Sequence, residues 1–198
     1  MKLEKIISMA DGPEKTSALA AWVQSLYAAE DESPVLVGGG AVELYTGGAY
    51  TTGDLDFVGH VPARVAHALA DSGFRKDGRD YIHERGQVYL EFPGARLESG
   101  ESTRMERFGK HSVLLISVED LLVDRLCAWV FWKSPVDGAN AFVLFNTKKA
   151  ALDWTRLRSR AEEEDVLRAL NELEEFAALY PEGEPPVEDL EAWANRVL

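Results

Sequence analysis

Two aspartates separated by one residue, Asp54 and Asp56, have the spacing in this chain best suited to chemistry. An apolar residue lies between them and another follows, so residues 54–57 alternate as a half-buried β-strand does. Side chains two residues apart in a strand point to the same face, about 7 Å from each other. Carboxylate oxygens are ligands for hard divalent cations such as Mg²⁺. The spacing therefore predicts a cation-binding pair of carboxylates on one strand face.

A run of glycines precedes the aspartates. Residues 35–37 are apolar, and residues 38–40 are all glycine. Because glycine has no Cβ, its backbone N–H can approach a phosphate oxygen closely. Each feature also fits a plainer structure, a tight turn or a hydrated strand end. Together, a glycine turn and two paired aspartates provide the minimal set of groups for metal-assisted nucleotidyl transfer.

The positions of apolar residues, glycines and prolines predict the elements that would hold these groups. Up to residue 116 they predict helices at 14–29, 41–45 and 62–72, and strands at 35–37, 54–58, 81–84, 87–92 and 112–116. From residue 117 they predict helices only: one to about 133, then 137–146, 155–179 and 187–197, with a turn or linker at 181–186. The expected fold class is α+β, with an α/β core at 1–116 and a helical region at 117–198.

Charge and composition limit the classes of function. The net charge of −13 over 198 residues argues against a protein that coats nucleic acid through bulk electrostatics. The chain lacks the run of about 18 apolar residues that a membrane span needs. Its first residues lack the organisation of a signal peptide, and its single cysteine, Cys127, fits a reducing compartment. We therefore expect a cytoplasmic protein without a membrane partner.

A local basic segment is the exception to the acidic composition. Residues 148–160 carry five Lys or Arg against one Asp. Such a run is usually a solvated helix face, but it could also grip a single-stranded nucleic-acid end. The sequence leaves both interpretations open.

The order of these features resembles the polymerase-β-like nucleotidyltransferase superfamily: an apolar strand, a glycine pair, a helix, a Thr-rich turn, D-x-D on a strand and an acid on a later strand. The segment GGGAVELYTGGAYTTGDLDFVG, residues 38–59, is similar to the minimal, bacterial AbiEii-like branch, whose pattern ends in T-x-D-[IL]-D. Residues 117–133, SVEDLLVDRLCAWVFWK, resemble the helix that opens the C-terminal half of that family. The resemblance implies a small mixed-sheet nucleotidyltransferase core with flanking helices, followed by a helical half.

The resemblance also implies roles for individual residues around the D-x-D strand. Gly38 and Gly39 would hold the triphosphate of an NTP substrate against their amides, and Thr52 would orient the turn or touch a phosphate. Three acids would bind Mg²⁺ in a two-ion site: Asp54, Asp56 and Glu91. The bound ions would activate the acceptor hydroxyl. Glu91 is placed by position, on the side of its strand away from the apolar residues, and it would also serve as base. A solvent-facing strand residue is the alternative for Glu91.

Further residues follow from toxin-like members of the family. Arg125 and Lys133 are candidates for contacting the triphosphate, and Asp137 is the candidate acid. Arg125 follows Asp124, so a surface charge pair explains it nearly as well. The acceptor implied by the family is an RNA end, a protein or a small molecule such as an aminoglycoside.

A second hypothesis is a non-catalytic binding or antitoxin module with the same fold, as half of a toxin–antitoxin pair. The apolar cluster at 142–145 motivates it, because such a cluster is either core or an interface for a partner protein or a second copy. Other chemistries are poorly supported. The glycines match neither the dinucleotide fingerprint nor a Walker A loop, and the four histidines lack zinc-site spacing.

Overall fold

The computed structural model describes residues 2–181 and 185–196. Over these residues the protein is α+β, with a mixed sheet of seven strands and a helical C-terminal half. The chain divides into two compact units, Met1–Ser117 and Val118–Leu198. None of the helices in this part of the chain is both long enough and apolar enough to cross a bilayer.

The sheet lies in the first unit. Its strands are β1 (Val35–Val37), β2 (Asp54–Val58), β3 (Arg75–Asp77), β4 (Asp80–His83), β5 (Val88–Gly94), β6 (Thr103–Phe108) and β7 (His111–Ile116). They are ordered β3-β4-β5-β2-β1-β7-β6. β2 runs antiparallel to β1 and parallel to β5, so the sheet is mixed, as expected from the sequence.

Four α-helices lie in the described part of the first unit. They are α1 (Leu3–Ile7), α2 (Pro13–Ser25), α3 (Gly38–Thr46) and α4 (Ala63–Asp71). Leu36, Leu55 and Leu90 come from three adjacent strands, and all are buried. A Cβ at Gly40 of α3 would stand 3.3 Å from Leu36 Cδ1 and 3.7 Å from Leu55 Cγ, so α3 packs directly on this apolar face. The opposite face of β2 and β5 carries the polar side chains.

Three elements of this unit were not predicted from the sequence, namely α1, β3 and β6. β3 is entirely exposed, and β6 has no buried residue. Both are the edge strands of the sheet. They therefore lack the period-2 apolar signal that burial of one face produces.

The second unit consists of helices, in agreement with the prediction. They are α5 (Val118–Phe131), α6 (Pro135–Lys148), α7 (Trp154–Glu163), α8 (Leu167–Ala178) and α9 (Val187–Ala194). The single helix expected at 155–179 is in fact two helices, because Asp165 adopts a left-handed backbone with φ of 58° between them. The helix expected at 187–197 ends at Ala194. Its last predicted residue, 197, and residues 182–184 of the predicted linker lie outside the described residues.

An aromatic cluster forms the core of the second unit. Trp193 stacks on Phe176 with ring centroids 4.8 Å apart, and Trp129 Nε1 donates a hydrogen bond of 2.7 Å to the Ala194 carbonyl. Phe142 and Phe145, from the apolar cluster at 142–145, are buried. This cluster is therefore part of the core. It gives no support to the partner interface that was the argument for a binding module.

The basic segment of the second unit is largely compensated by acids. Asp120, which is buried, accepts hydrogen bonds from Arg156 and Arg160 at 2.5 and 3.1 Å. Arg158 pairs with Glu174 at 2.7 Å. These three arginines therefore join α7 to acids of neighbouring helices, and the grip on a single-stranded nucleic-acid end at this segment stays a prediction.

Candidate active site

Asp54 and Asp56 lie on one face of β2. Burial alternates along the strand: Leu55 and Phe57 are buried, whereas the two aspartates and Val58 are partly exposed. The two carboxylates therefore project from the face that α3 does not cover. This is the arrangement that a cation-binding pair requires.

Glu91 lies on the neighbouring strand at the level of the aspartates. β2 and β5 are parallel, and their register places Asp56 beside Glu91 and Asp54 beside Tyr89. Because register partners in adjacent strands share a face, Glu91 points to the same side as both aspartates. The structure thus brings the three predicted acids together on one face.

A fourth acid on this face, Asp80, was missed by the sequence reasoning. β4 pairs antiparallel with β5, with Tyr81 opposite Leu90, so Asp80 falls on the face of Glu91. Its Oδ1 atom is buried and has no hydrogen-bond partner in the described structure. The hairpin was predicted to begin at Tyr81, one residue later. Extending it by one residue would have revealed the pairing.

Negative charge accumulates around Glu91. Burial raises the pKa of Glu91, and the nearby carboxylates of Asp54 and Asp80 raise it further, whereas Arg79 acts in the opposite direction. Like charges at close range favour the protonated form of one of them, and a bound cation would relieve the same repulsion.

The carboxylates share a face but do not form a closed cage. Among the described residues, no three His, Cys, Asp or Glu side chains are close enough together to hold a metal ion. Mg²⁺ is usually bound by one or two carboxylates, with waters and substrate phosphates completing its octahedron. An all-oxygen pair such as Asp54 and Asp56 fits an ion bound in that manner.

The glycines begin helix α3, whereas the sequence predicted a glycine turn before a helix at 41–45. Gly38 has a left-handed backbone with φ of 59°, and a Cβ there would overlap Asp56 Oδ2. A Cβ on Gly39 would stand 2.8 Å from Thr52 Oγ1. The first amides of a helix have no acceptor within it and favour anions. The close approach of Asp56 and Thr52 therefore favours glycine at both positions, and the binding of phosphate by their amides stays a prediction.

Thr52 links the glycine turn to the aspartates. Its Oγ1 donates a hydrogen bond of 2.6 Å to Asp54 Oδ1. Behind it, the backbone N–H of Thr52 points to Glu43 Oε2 at 3.5 Å, and the same oxygen accepts a hydrogen bond of 3.0 Å from Thr16 Oγ1. Glu43 is buried, and its Oε1 has no partner among the described residues. Glu43 therefore holds in place the loop that orients Asp54. In the sequence, the only sign of this role is the position of an acid within an otherwise apolar helix.

Glu43 leads to a prediction about pH. Burial raises its pKa, more than the hydrogen bonds from Thr16 and Thr52 lower it. An acid whose pKa is higher in the folded state costs stability as the pH rises above its unfolded pKa of about 4.3, because its ionised form is disfavoured in the fold. We expect Glu43→Gln, which cannot ionise, to gain free energy of unfolding relative to the parent protein between pH 5 and pH 8.

Urea unfolding of both proteins at pH 5 and pH 8 measures this difference. Glu14→Gln, on an exposed residue of α2, serves as the matched control and should show no such change. A difference between Glu43→Gln and the parent that is the same at both pH values would contradict the prediction.

The remaining predicted residues lie in the second unit. Arg125 pairs with Asp137 at 2.6 Å and with Asp124 at 2.5 Å. The structure thus brings Arg125 and Asp137 together as an ion pair. Lys133 is exposed in the connection between α5 and α6, with a left-handed backbone of φ 54°.

Comparisons with known proteins support the fold. No protein-family model matches the chain, and no curated protein matches it significantly. Among solved structures, the chain is similar to an antigenic nucleotidyltransferase-like protein from Paracoccidioides brasiliensis, with a TM-score of 0.56 and 15% sequence identity over 93% of this chain and 94% of that one. At this identity the likeness shows a common nucleotidyltransferase-like fold.

Proposed function

We propose that the protein is a Mg²⁺-dependent nucleotidyltransferase of the AbiEii-like kind, which moves a nucleoside monophosphate from an NTP to a hydroxyl acceptor. One observation carries the proposal: Asp54 and Asp56 project from one face of β2, beside Glu91, at the glycine-rich start of α3. This combines carboxylate ligands with backbone donors for phosphate.

Each residue has a defined part in the proposed reaction. The amides of Gly38 and Gly39 bind phosphate oxygens, and Asp54 and Asp56 hold Mg²⁺. Mg²⁺ held by these two carboxylates would supply charge neutralisation for the phosphoryl group and the leaving pyrophosphate. Thr52 holds the Asp54 carboxylate in place through its hydrogen bond.

Glu91 completes the reaction as base. The acceptor oxygen forms a bond to the α-phosphorus, the bond from that phosphorus to the bridging oxygen breaks, and pyrophosphate leaves. The acceptor proton passes to the Glu91 carboxylate, which lies on the same face as Asp54 and Asp56. The assignment of Arg125, Lys133 and Asp137 to the triphosphate stays a prediction from the family resemblance.

A non-catalytic module is the second candidate function. It is favoured by one observation, that the described acids do not form a three-ligand metal cage. In that case the fold would serve as a binding or antitoxin partner in a toxin–antitoxin pair, with chemistry supplied elsewhere.

Calorimetric titration separates the two functions. We expect at least one NTP to bind in the presence of Mg²⁺, and binding to fall strongly when EDTA removes the ion. A complementary experiment incubates the protein with labelled NTPs and cell lysate, and asks whether label enters the RNA, protein or small-molecule fraction. Absence of binding for all four NTPs, with and without Mg²⁺, would contradict the enzyme and favour the module.

A further inference from the structure

A cavity of about 710 Å³ lies in the first unit, where β2 and β5 begin. It is lined by the loop between α1 and α2, the first turn of α2, the loop before β2 and the turn before β5. We call it the Lys15 cavity. Its volume is in the range of pockets that hold small molecules, about 300–1,000 Å³.

The charged groups of the Lys15 cavity favour an anion. Two cations, Lys15 and Arg85, line it together with one acid, Asp11. Arg85 makes no hydrogen bond or ion pair with any described residue. Lys15 Nζ contacts Asp11 Oδ1 at 2.7 Å, but the Asp11 side chain is 91% exposed and the Lys15 side chain only 13%. An anion could therefore replace the exposed carboxylate at Lys15 without cost to the core.

The neutral lining complements these cations. Gly12, Lys15 and Thr16, at the start of the 13-residue helix α2, line the cavity, so the positive end of the helix dipole adds to the two cations. Thr51 and Thr52 line the same space. An apolar wall consists of Ile7, Leu19, Leu55 and Val88. This combination suits a ligand with a compact oxyanion at one end and an apolar part at the other.

A buried acid, Glu43, lies close to this space in addition to Asp11, which lines it. Glu43 lies behind Thr16 and Thr52, both of which hydrogen-bond to it or point to it. Burial raises its pKa, which favours its neutral form. It therefore opposes an anion less than an exposed glutamate would.

Two contacts join the Lys15 cavity to the carboxylate face. Thr52 lines the cavity and donates a hydrogen bond to Asp54 Oδ1. Tyr89 lines it and is the register partner of Asp54 in β5. The cavity therefore adjoins the carboxylate face at Thr52 and Tyr89.

We propose that the Lys15 cavity binds the phosphate group of a small phosphorylated molecule, which is the acceptor of the transfer. The binding site stands on the cavity alone, whereas the acceptor role rests on the proposed function. Arg85 and Lys15 bind the phosphate oxygens, and the apolar wall contacts the carbon part of the molecule. A hydroxyl of that molecule is then directed to Asp54 and Glu91.

Amide chemical shifts recorded by NMR, without metal or nucleotide, test the site directly. The probes are phenyl phosphate, inorganic phosphate and acetate. We expect phenyl phosphate to bind best and acetate least, with shifts at the amides of Gly12, Gly53 and Gly86, which line the cavity. Shifts confined to Gly38 and Gly39 would overturn the proposal, because the phosphate would then occupy the start of α3.

Variants provide the matched control. The double substitution Lys15→Met and Arg85→Met should weaken phenyl phosphate binding by about tenfold or more, because hydrogen bonds to charged groups are lost. Lys5→Met with Lys76→Met removes the same charge from exposed positions that do not line the cavity, and should leave binding unchanged. Unchanged binding in the Lys15 and Arg85 variant would overturn the proposal.

The acceptor role has a separate readout. The Lys15→Met and Arg85→Met variant should keep Mg²⁺-dependent NTP binding and lose label in the small-molecule fraction of a lysate. Label that enters RNA or protein only would overturn the acceptor role. If phosphate binds the cavity but no NTP binds the protein, the proposed function fails and the phosphate site stands. If an NTP binds the protein but phosphate does not bind the cavity, the phosphate site fails and the proposed function stands.

Discussion

Asp54→Asn and Asp56→Asn should each reduce Mg²⁺-dependent nucleotide transfer by at least about 100-fold, because each removes an ionised oxygen ligand from the proposed ion site. The amide retains the size of the side chain, and in the Asp54→Asn protein the amide oxygen can still accept the hydrogen bond from Thr52. The fold should therefore survive both substitutions. Transfer of label from an NTP, measured for each single variant, checks the effect.

Asp77→Asn is the control for this pair. Asp77 is an exposed acid of the same sheet, on the edge strand β3, and it contacts Arg75 at the surface. Its substitution removes one charge and should leave transfer unchanged. Full transfer by Asp54→Asn and Asp56→Asn proteins with normal circular dichroism would refute the role of the carboxylate face.

Gly38→Ala should lower the free energy of unfolding by about 2–5 kcal/mol, the largest stability effect that we expect at the site. A left-handed backbone costs a residue with a Cβ about 1–2 kcal/mol, and the overlap of that Cβ with Asp56 Oδ2 adds about 1–3 kcal/mol of overpacking. Urea unfolding gives the value. The same change displaces Asp56, so metal-dependent NTP binding should fall with it.

Gly47→Ala separates the two causes. Gly47 has a similar left-handed φ of 66°, but a Cβ there meets no atom within 4 Å. It should therefore lose only the backbone part, about 1–2 kcal/mol. Adding Asp56→Ala to Gly38→Ala should restore much of the free energy of unfolding that the overlap with Asp56 costs. Equal losses at Gly38 and Gly47 would contradict the packing of Asp56 against the glycine.

The D-x-D strand could be predicted because its signal is local. Period-2 alternation needs only one buried face, and Leu55 and Phe57 supply it. Glu91 could be placed on the correct face for the same reason, since Leu90 and Phe92 are buried beside it. The α+β class followed from the change of pattern at residue 117.

The rest of the site depends on contacts that are distant in sequence. Glu43 binds Thr16, which is 27 residues away, and its role appears only when α2 and α3 pack together. Asp80 joins the acids through the register between β4 and β5. From the sequence, Gly38 and Gly39 could be assigned only to phosphate approach or to a tight turn. The structure adds that two side chains, Asp56 and Thr52, occupy the space where their Cβ atoms would lie.

Paramagnetic broadening by Mn²⁺, a substitute for Mg²⁺, tests the carboxylate face most directly. In the presence of an NTP, we predict that Mn²⁺ broadens the amide signals of Gly39, Asp54, Asp56 and Glu91 first, and that the Asp54→Asn and Asp56→Asn double variant loses this broadening. Broadening that instead begins at the acidic surface of residues 162–165, and that persists in the double variant, would contradict the account.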